Sequence, residues 1–207
     1  MSGPSGDGPA QDPAQDPAQD PAGGLAEAAA KAGRRGPPPV HLWDPPHCGA
    51  IAIRIRRDGQ WFHEGTPIGR EGLVRLFASI LRRDPEGYVL VTPVEKMSIE
   101  VEDAPFVAVD VERVAGDPGG LRFTTNLGDE AVAGPAHPLR VERDAATGEP
   151  RPYVAIRRGL EALIDRKTFY RLVDMGELRG HEGAEWFGVE SGGTFFPICP
   201  AEELDAL

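Results

Sequence analysis

Arg70 and Arg166 are the side chains of this sequence best placed, by type and spacing, to do chemistry. They hold matching positions in a ten-residue phrase that occurs twice without a gap, IGREGLVRLF at 68–77 and IDRKTFYRLV at 164–173. Helical spacing alone accounts for the apolar matches, so the paired arginines carry the repeat. A cation in the first turn of a helix opposes the helix dipole and calls for an anion. A carboxylate such as Glu64 or Glu95 can supply it, or a bound ligand can, because a helix N-terminus with a guanidinium is a natural phosphate site. Salt bridges within or between the repeats are the competing use of the same two arginines.

Other candidates lie near these phrases. His63 stands where a hairpin meets the first phrase, and its reference pKa near neutrality suits proton transfer or hydrogen bonding; satisfying a turn carbonyl is the plainer role. Thr92, Glu95 and Lys96 follow an apolar strand broken by Pro93, a place where backbone groups open to a ligand. There Thr92 and Lys96 suit a phosphate or ribose and Glu95 suits an arginine, while an exposed hinge between strands explains the same residues. Tyr153 and Arg157 share one face of a strand by alternation and can line a groove between the repeats or simply pack. No nucleophile, base and charge stabiliser assemble from these spacings, so no catalytic residue is assigned. Cys48 and Cys199 lie far apart with no C-x-x-C pair, which leaves no metal site and no cofactor to name. The Ser191-Gly192-Gly193-Thr194 stretch lacks the lysine and following helix of a phosphate loop and reads as a hairpin turn.

The elements that must position these residues are mostly strands. Residues 50–57 alternate apolar and charged, Asp58-Gly59 supplies a two-residue turn with positive φ at both positions, and 60–63 return. Thr66-Pro67 offer an N-cap and first-turn proline to a helix of roughly four turns, with Leu73, Leu76, Phe77, Ile80 and Leu81 on one stripe. Strands follow at 88–92, 97–102 and 106–112. The A-G-D-P-G-G segment at 115–120 is the best internal boundary. Beyond it, 121–125, 139–142 and 153–156 read as strands, 159–175 as a helix, and 186–190 pairs with 194–198. Hairpin, helix, strands: both halves run in that order. The expected fold is α+β, two small similar lobes of antiparallel strands on one main helix each, at 37–115 and 116–207.

Residues 1–36 stand apart. Residues 10–22 are a tandem A-Q-D-P tract, and such composition buries too little apolar area to offset its ordering entropy. A disordered tail is expected there, with at most a transient Ala-rich helix at 25–32. Across its 207 residues the chain carries a net charge of −11, of which the tail's five acids and three bases account for −2. The acidic balance disfavours nucleic acid and anionic membrane as partners. There is no basic, apolar leader at the N-terminus and no run of membrane-spanning length, which fits a cytoplasmic protein. Arginine outnumbers lysine 19 to 3.

Five segments resemble the bacterial family known as domain of unknown function 1285: 38–49 (PPVHLWDPPHCG), 56–70 (RRDGQWFHEGTPIGR), 88–96 (YVLVTPVEK), 101–106 (VEDAPF) and 152–166 (PYVAIRRGLEALIDR). The resemblance covers nearly all of the chain beyond the tail. It implies a two-lobed α+β fold made by duplication, with a C-terminal lobe loosely like pleckstrin-homology domains, and a site between the lobes for a nucleotide-like ligand in signalling. Three functions follow as expectations: a noncatalytic module holding a small anionic ligand, a hydrolase or transferase acting on a phosphorylated small molecule, or a protein-interaction scaffold that docks a partner strand. The sequence names no protein partner.

Overall fold

Ile51, Ile53 and Ile55 alternate with exposed Ala50, Ala52 and Arg54, and that alternation lays one face of β1 (His47–Ile55) on the core. A computed structural model describes residues 21–32 and 38–206. β1 turns at 56–60 into β2 (Trp61–His63). The turn corrects the sequence expectation, because only Gly59, at φ 80°, is in the left-handed region. Arg56 N–H donates to the Gln60 carbonyl at 2.9 Å and the Asp58 carboxylate accepts from Gln60 N–H at 3.0 Å. This is a three-residue loop ending in a left-handed glycine, not a two-residue turn.

Thr66–Pro67 form β3, a short edge strand on β2, where a proline's missing N–H costs nothing. The first main helix, α2 (Glu71–Ser79), therefore starts later than expected, and its cap position moves four residues, from Thr66 to Arg70. It also stops early: Leu81 already belongs to β4 (Leu81–Asp84), which pairs with β5 (Gly87–Val91), and β6 (Lys96–Val101) completes the first sheet. Its order is β3-β2-β1-β6-β5-β4, antiparallel except for the central β1–β6 pair.

The second sheet repeats this plan. Its strands are β7 (Phe106–Val114), β8 (Gly120–Thr125), β9 (Glu130–Val132), β10 (Leu139–Arg143), β11 (Pro150–Arg157) and β12 (Leu160–Ile164). They lie in the order β10-β11-β12-β7-β8-β9, again with a parallel seam, β7 on β12. In both lobes two three-stranded meanders meet along the first and sixth strands. The lobe boundary moves accordingly: 115–119 is the turn of the β7–β8 hairpin, and the lobes are joined at 102–105.

The helices break the symmetry. α2 follows the third strand of its lobe, whereas α3 (Arg166–Val173) follows the sixth strand of its own. Residues 160–164, expected to be helical, form β12 with Leu160, Ala162 and Ile164 buried. The repeated ten-residue phrase thus marks two helices at topologically different places in a duplicated fold. After α3, β13 (Glu177–His181), β14 (Ala184–Ser191) and β15 (Thr194–Pro200) make a third sheet, in which β14 and β15 join through Gly192-Gly193, both at positive φ, as the sequence requires.

Part of the expected disordered tail is a helix, α1 (Pro21–Ala32), packed on α2. Ala22, Leu25 and Ala29, at i, i+3 and i+7, are buried, and Leu25 is wholly so. Composition argues against an isolated helix there, but small residues on one stripe let α1 approach α2 closely, and tertiary packing stabilises what propensity cannot. Residues 1–20 and 33–36 of the tail lie outside the described residues.

The lobes touch where the β1–β2 loop meets the β8–β9 turn. Asn126 accepts Val107 N–H on its Oδ1 at 3.1 Å and points its Nδ2 at the Gly59 carbonyl, 3.5 Å away. A Cβ on Gly59 would stand 2.7 Å from that nitrogen and 3.0 Å from Val107 Cγ2. Gly59→Ala is therefore expected to lower stability by about 1–2 kcal/mol, from the left-handed φ and the displaced amide together. Urea denaturation checks this, and a variant as stable as wild type contradicts the tight junction.

Candidate functional site

Between the lobes lies a cavity of about 470 Å³, within the roughly 300–1,000 Å³ usual for small-molecule sites. α2 brings Arg75 and Ala78 to it, β4 brings Leu81 and Arg82, and Val40 comes from a single 3₁₀ turn ahead of β1. From the second lobe, the β8–β9 turn contributes Leu127 and Asp129, and the β11–β12 turn contributes Arg157, Arg158 and Leu160. Among the described residues, four arginines and one aspartate line this cavity, in a chain whose net charge is −11.

These arginines are not equivalent. Arg82 is held in the wall: Nη1 donates to the carbonyls of Val40 at 2.9 Å and Trp43 at 2.7 Å, while Nε and Nη2 clasp Asp84 at 2.6 and 2.9 Å. The second Asp84 oxygen also takes Lys96 Nζ at 2.9 Å. Hydrogen bonding from Arg82, then Lys96, overrides burial and pulls the Asp84 carboxyl from 3.8 to about 2. Arg157 fastens the lobes together, since Nη2 donates to the Ala78 carbonyl on α2 at 2.7 Å, Nη1 pairs with Asp129, and the guanidinium lies 4.9 Å from the centre of the Phe106 ring. Arg75 is half exposed and bound at 2.5 Å to Glu71 on its own helix. Arg158 is exposed, in a left-handed turn position (φ 44°), and pairs with no acid among the described residues.

Of the sequence candidates, Arg157 alone lines this cleft. Arg70 is an exposed cap residue. Arg166 lies on a separate depression of about 560 Å³ that also includes Arg57, Arg151 and Tyr170, and its Nε donates to the Tyr170 hydroxyl at 3.0 Å. The two arginines of the repeated phrase do not meet, because their helices occupy different places in the two lobes. Thr92 is buried and its hydroxyl is spent inside the 92–95 turn, donating to the Glu95 carbonyl and accepting from the N–H groups of Val94 and Glu95. Glu95 completes that turn, Lys96 serves Asp84, and His63 sits in β2 opposite Ile53 and Thr66. Tyr153 donates to Asp103 Oδ1 at 2.8 Å on the link between lobes, and burial, then the Asp103 carboxylate, pushes its hydroxyl up to about 12.

Arg82 and Arg158 escaped the sequence reading, while Arg75, the later arginine of the repeated phrase, reads from sequence as solvated or bridging and Asp129 as part of a turn. The adjacent Arg157-Arg158 ahead of Gly159 was the available signal, hidden by taking 159–175 as one helix. Among the described residues no group of three or more His, Cys, Asp or Glu is placed to hold a metal ion, and no helix is long and apolar enough to cross a membrane.

Comparison with known proteins agrees with the two-lobed division. Residues 38–104 match the profile described as domain of unknown function (DUF1285), N-terminal domain, and residues 105–198 match protein of unknown function (DUF1285), C-terminal domain. A crystal structure of a DUF1285 family protein from Silicibacter pomeroyi DSS-3 is similar at 56% identity and a TM-score of 0.79, covering 87% of this chain and 97% of that one. A second, from Shewanella baltica OS155, is 31% identical with a TM-score of 0.48, over 60% of this chain and 91% of that one. No curated protein matches the chain. The profile boundary at 104/105 falls on the link between the two sheets, and on these matches the chain belongs to the DUF1285 family.

Proposed function

We propose that the protein is a cytoplasmic binding module that holds a small anionic molecule in the cleft between its lobes and acts in signalling. A local concentration of cations carries this reading: an acidic chain gathers Arg75, Arg82, Arg157 and Arg158 around one cavity whose lining, among the described residues, includes one acid, Asp129, while Glu71 and Asp84 pair with Arg75 and Arg82 from behind it. Arg82 and Arg157 build the walls, so Arg75 and Arg158 are the cations with donors to give. Nucleotides are the members of this ligand class that the family resemblance implies. The overall acidity works against nucleic acid or an anionic membrane as the partner.

Thermal unfolding against a panel of nucleotides, sugar phosphates and aliphatic acids tests the proposal. A ligand at a hundredfold its Kd stabilises the folded state by about 2.7 kcal/mol, so a saturable rise in Tm is expected with at least one anion. An Arg75→Gln/Arg158→Gln variant should keep its unliganded Tm and lose that rise. Flat curves across the panel, or an undiminished rise in the variant, would remove the reading.

A further inference from the structure

The third sheet ends in an open strand. β13 (Glu177–His181) pairs with β14 on one side, and no strand among the described residues takes its other side. The remaining sheet edges are short or covered. β3 is two residues long and includes Pro67, and β9 is three residues long. β4 lies against the 3₁₀ turn at 40–42, and β10 and β15 lie against each other. An unpaired edge is a row of N–H and C=O groups ready for another strand.

Two residues of β13 fit that use. Leu178 is 50% exposed, although it stands directly across from buried Phe187 on the apolar face of the sheet. Gly180 is a glycine that its own fold does not require. Its φ is not left-handed, and a Cβ there would meet nothing within 4 Å. Glycine inside a strand weakens it, and often marks a place where another backbone comes close.

Charge identifies the incoming strand. Edges are commonly guarded by charged side chains, because like charges set opposite one another repel. Around Leu178 the charges are opposite instead: Glu177 precedes it and Arg179 follows it, with Arg179 Nη2 2.8 Å from the Glu177 carboxylate. Two copies of β13, antiparallel and centred on Leu178, set each Glu177 opposite the other copy's Arg179 and leucine opposite leucine. Four charges then alternate in sign around the pair, and Glu190, which also holds Arg179, reinforces the pattern. The same register sets Gly180 opposite Gly176 of the other copy, where the Phe187 ring already fills the side-chain space. A larger residue at 180 would crowd that ring.

We infer that β13 is a self-recognition edge, through which two copies of this chain join their three-stranded sheets into one sheet of six. Five residues on each side bury less than the roughly 1,600 Å² of a standard complex, so the dimer forms and dissociates with concentration. No residue of β13 lines the cleft, so this contact stands apart from the anion site.

Sedimentation velocity of the full chain tests the inference. At 0.15 M salt, repulsion between chains of net charge −11 is screened beyond about 8 Å. The average mass should climb toward twice that of one chain as concentration rises to about 1 mM, the range suited to a contact this small. Leu178→Lys should stay monomeric throughout, because it sets two cations face to face on the axis. Glu177→Arg opposes arginine with arginine and Arg179→Glu opposes acid with acid, so each alone should also be monomeric. Mixed in equal amounts, those two variants restore both opposite-charge pairs and should recover the dimer. The three substituted positions are exposed, so every variant should keep a Tm near that of wild type. A wild-type chain that stays monomeric overturns the inference, and so does a dimer that Leu178→Lys leaves intact. A mixture no more dimeric than its two components overturns it as well.

Discussion

Replacing Asp84 by alanine is expected to lower the unfolding free energy by about 3–5 kcal/mol, the usual cost of removing one partner from a buried ion pair. The carboxylate is 10% exposed, and the cations it would abandon, Arg82 and Lys96, are 16% and 20% exposed, so water cannot readily replace it. Arg82 also ties the carbonyls of Val40 and Trp43 to β4, so the loss should loosen the segment that leads into β1. The same site predicts a dependence on pH. The folded carboxyl is held near 2, below its ordinary 3.8. A depressed acid stabilises the fold above its unfolded pKa and loses that contribution as pH falls through its folded value. The difference in stability between wild type and Asp84→Ala should therefore be full at pH 7 and shrink by about 2 kcal/mol between roughly pH 4 and pH 2. Urea denaturation of both proteins across that range measures the gap, and a gap that stays constant to pH 2 contradicts the assigned pairing.

Ser191→Ala should cost about 2–4 kcal/mol, since each backbone group left unpaired in the interior carries about 1–3 kcal/mol. Ser191 is wholly buried at the end of β14. Its hydroxyl accepts Leu121 N–H at 2.7 Å and donates to the Ala133 carbonyl at 2.6 Å. Next to it, Gly192 N–H reaches the Gly119 carbonyl at 3.0 Å. These bonds join the three-stranded sheet to the β8–β9 end of the second lobe, and removing an oxygen strands one donor and one acceptor among buried Leu121 and Ala133. Chemical denaturation again decides, and a loss under about 1 kcal/mol means that the two groups have found other partners.

Strands with two different faces were readable from the sequence. Ile51, Ile53 and Ile55 against Ala52 and Arg54 leave only one period possible, and Gly192-Gly193 fits a tight turn and little else. Errors arose where an apolar spacing served both periods. Leu160, Leu163 and Ile164 stand at i, i+3 and i+4, as a helix wants, yet Leu160, Ala162 and Ile164 also alternate, and pairing with β7 and β11 decides for a strand. Ile80 and Leu81 extended the apparent stripe of α2 in the same way, although the chain turns into β4 there. The helix at 21–32 was hidden for a different reason, because its stability resides in α2, nearly fifty residues on. The cleft was the least legible part. In a chain with 19 arginines no single one announces itself, and Arg75 meets Arg158 only through the packing of two lobes.

Each lobe closes by laying its last strand beside its first, β6 on β1 and β12 on β7. On a ribosome this ordering has a cost in time. β1 leaves the exit tunnel with its parallel neighbour still untranslated, and it must wait, with one edge open to other chains, until some forty more residues have been made. Translation imposes that delay twice in the same molecule, and the second wait begins only after the first lobe has been able to close.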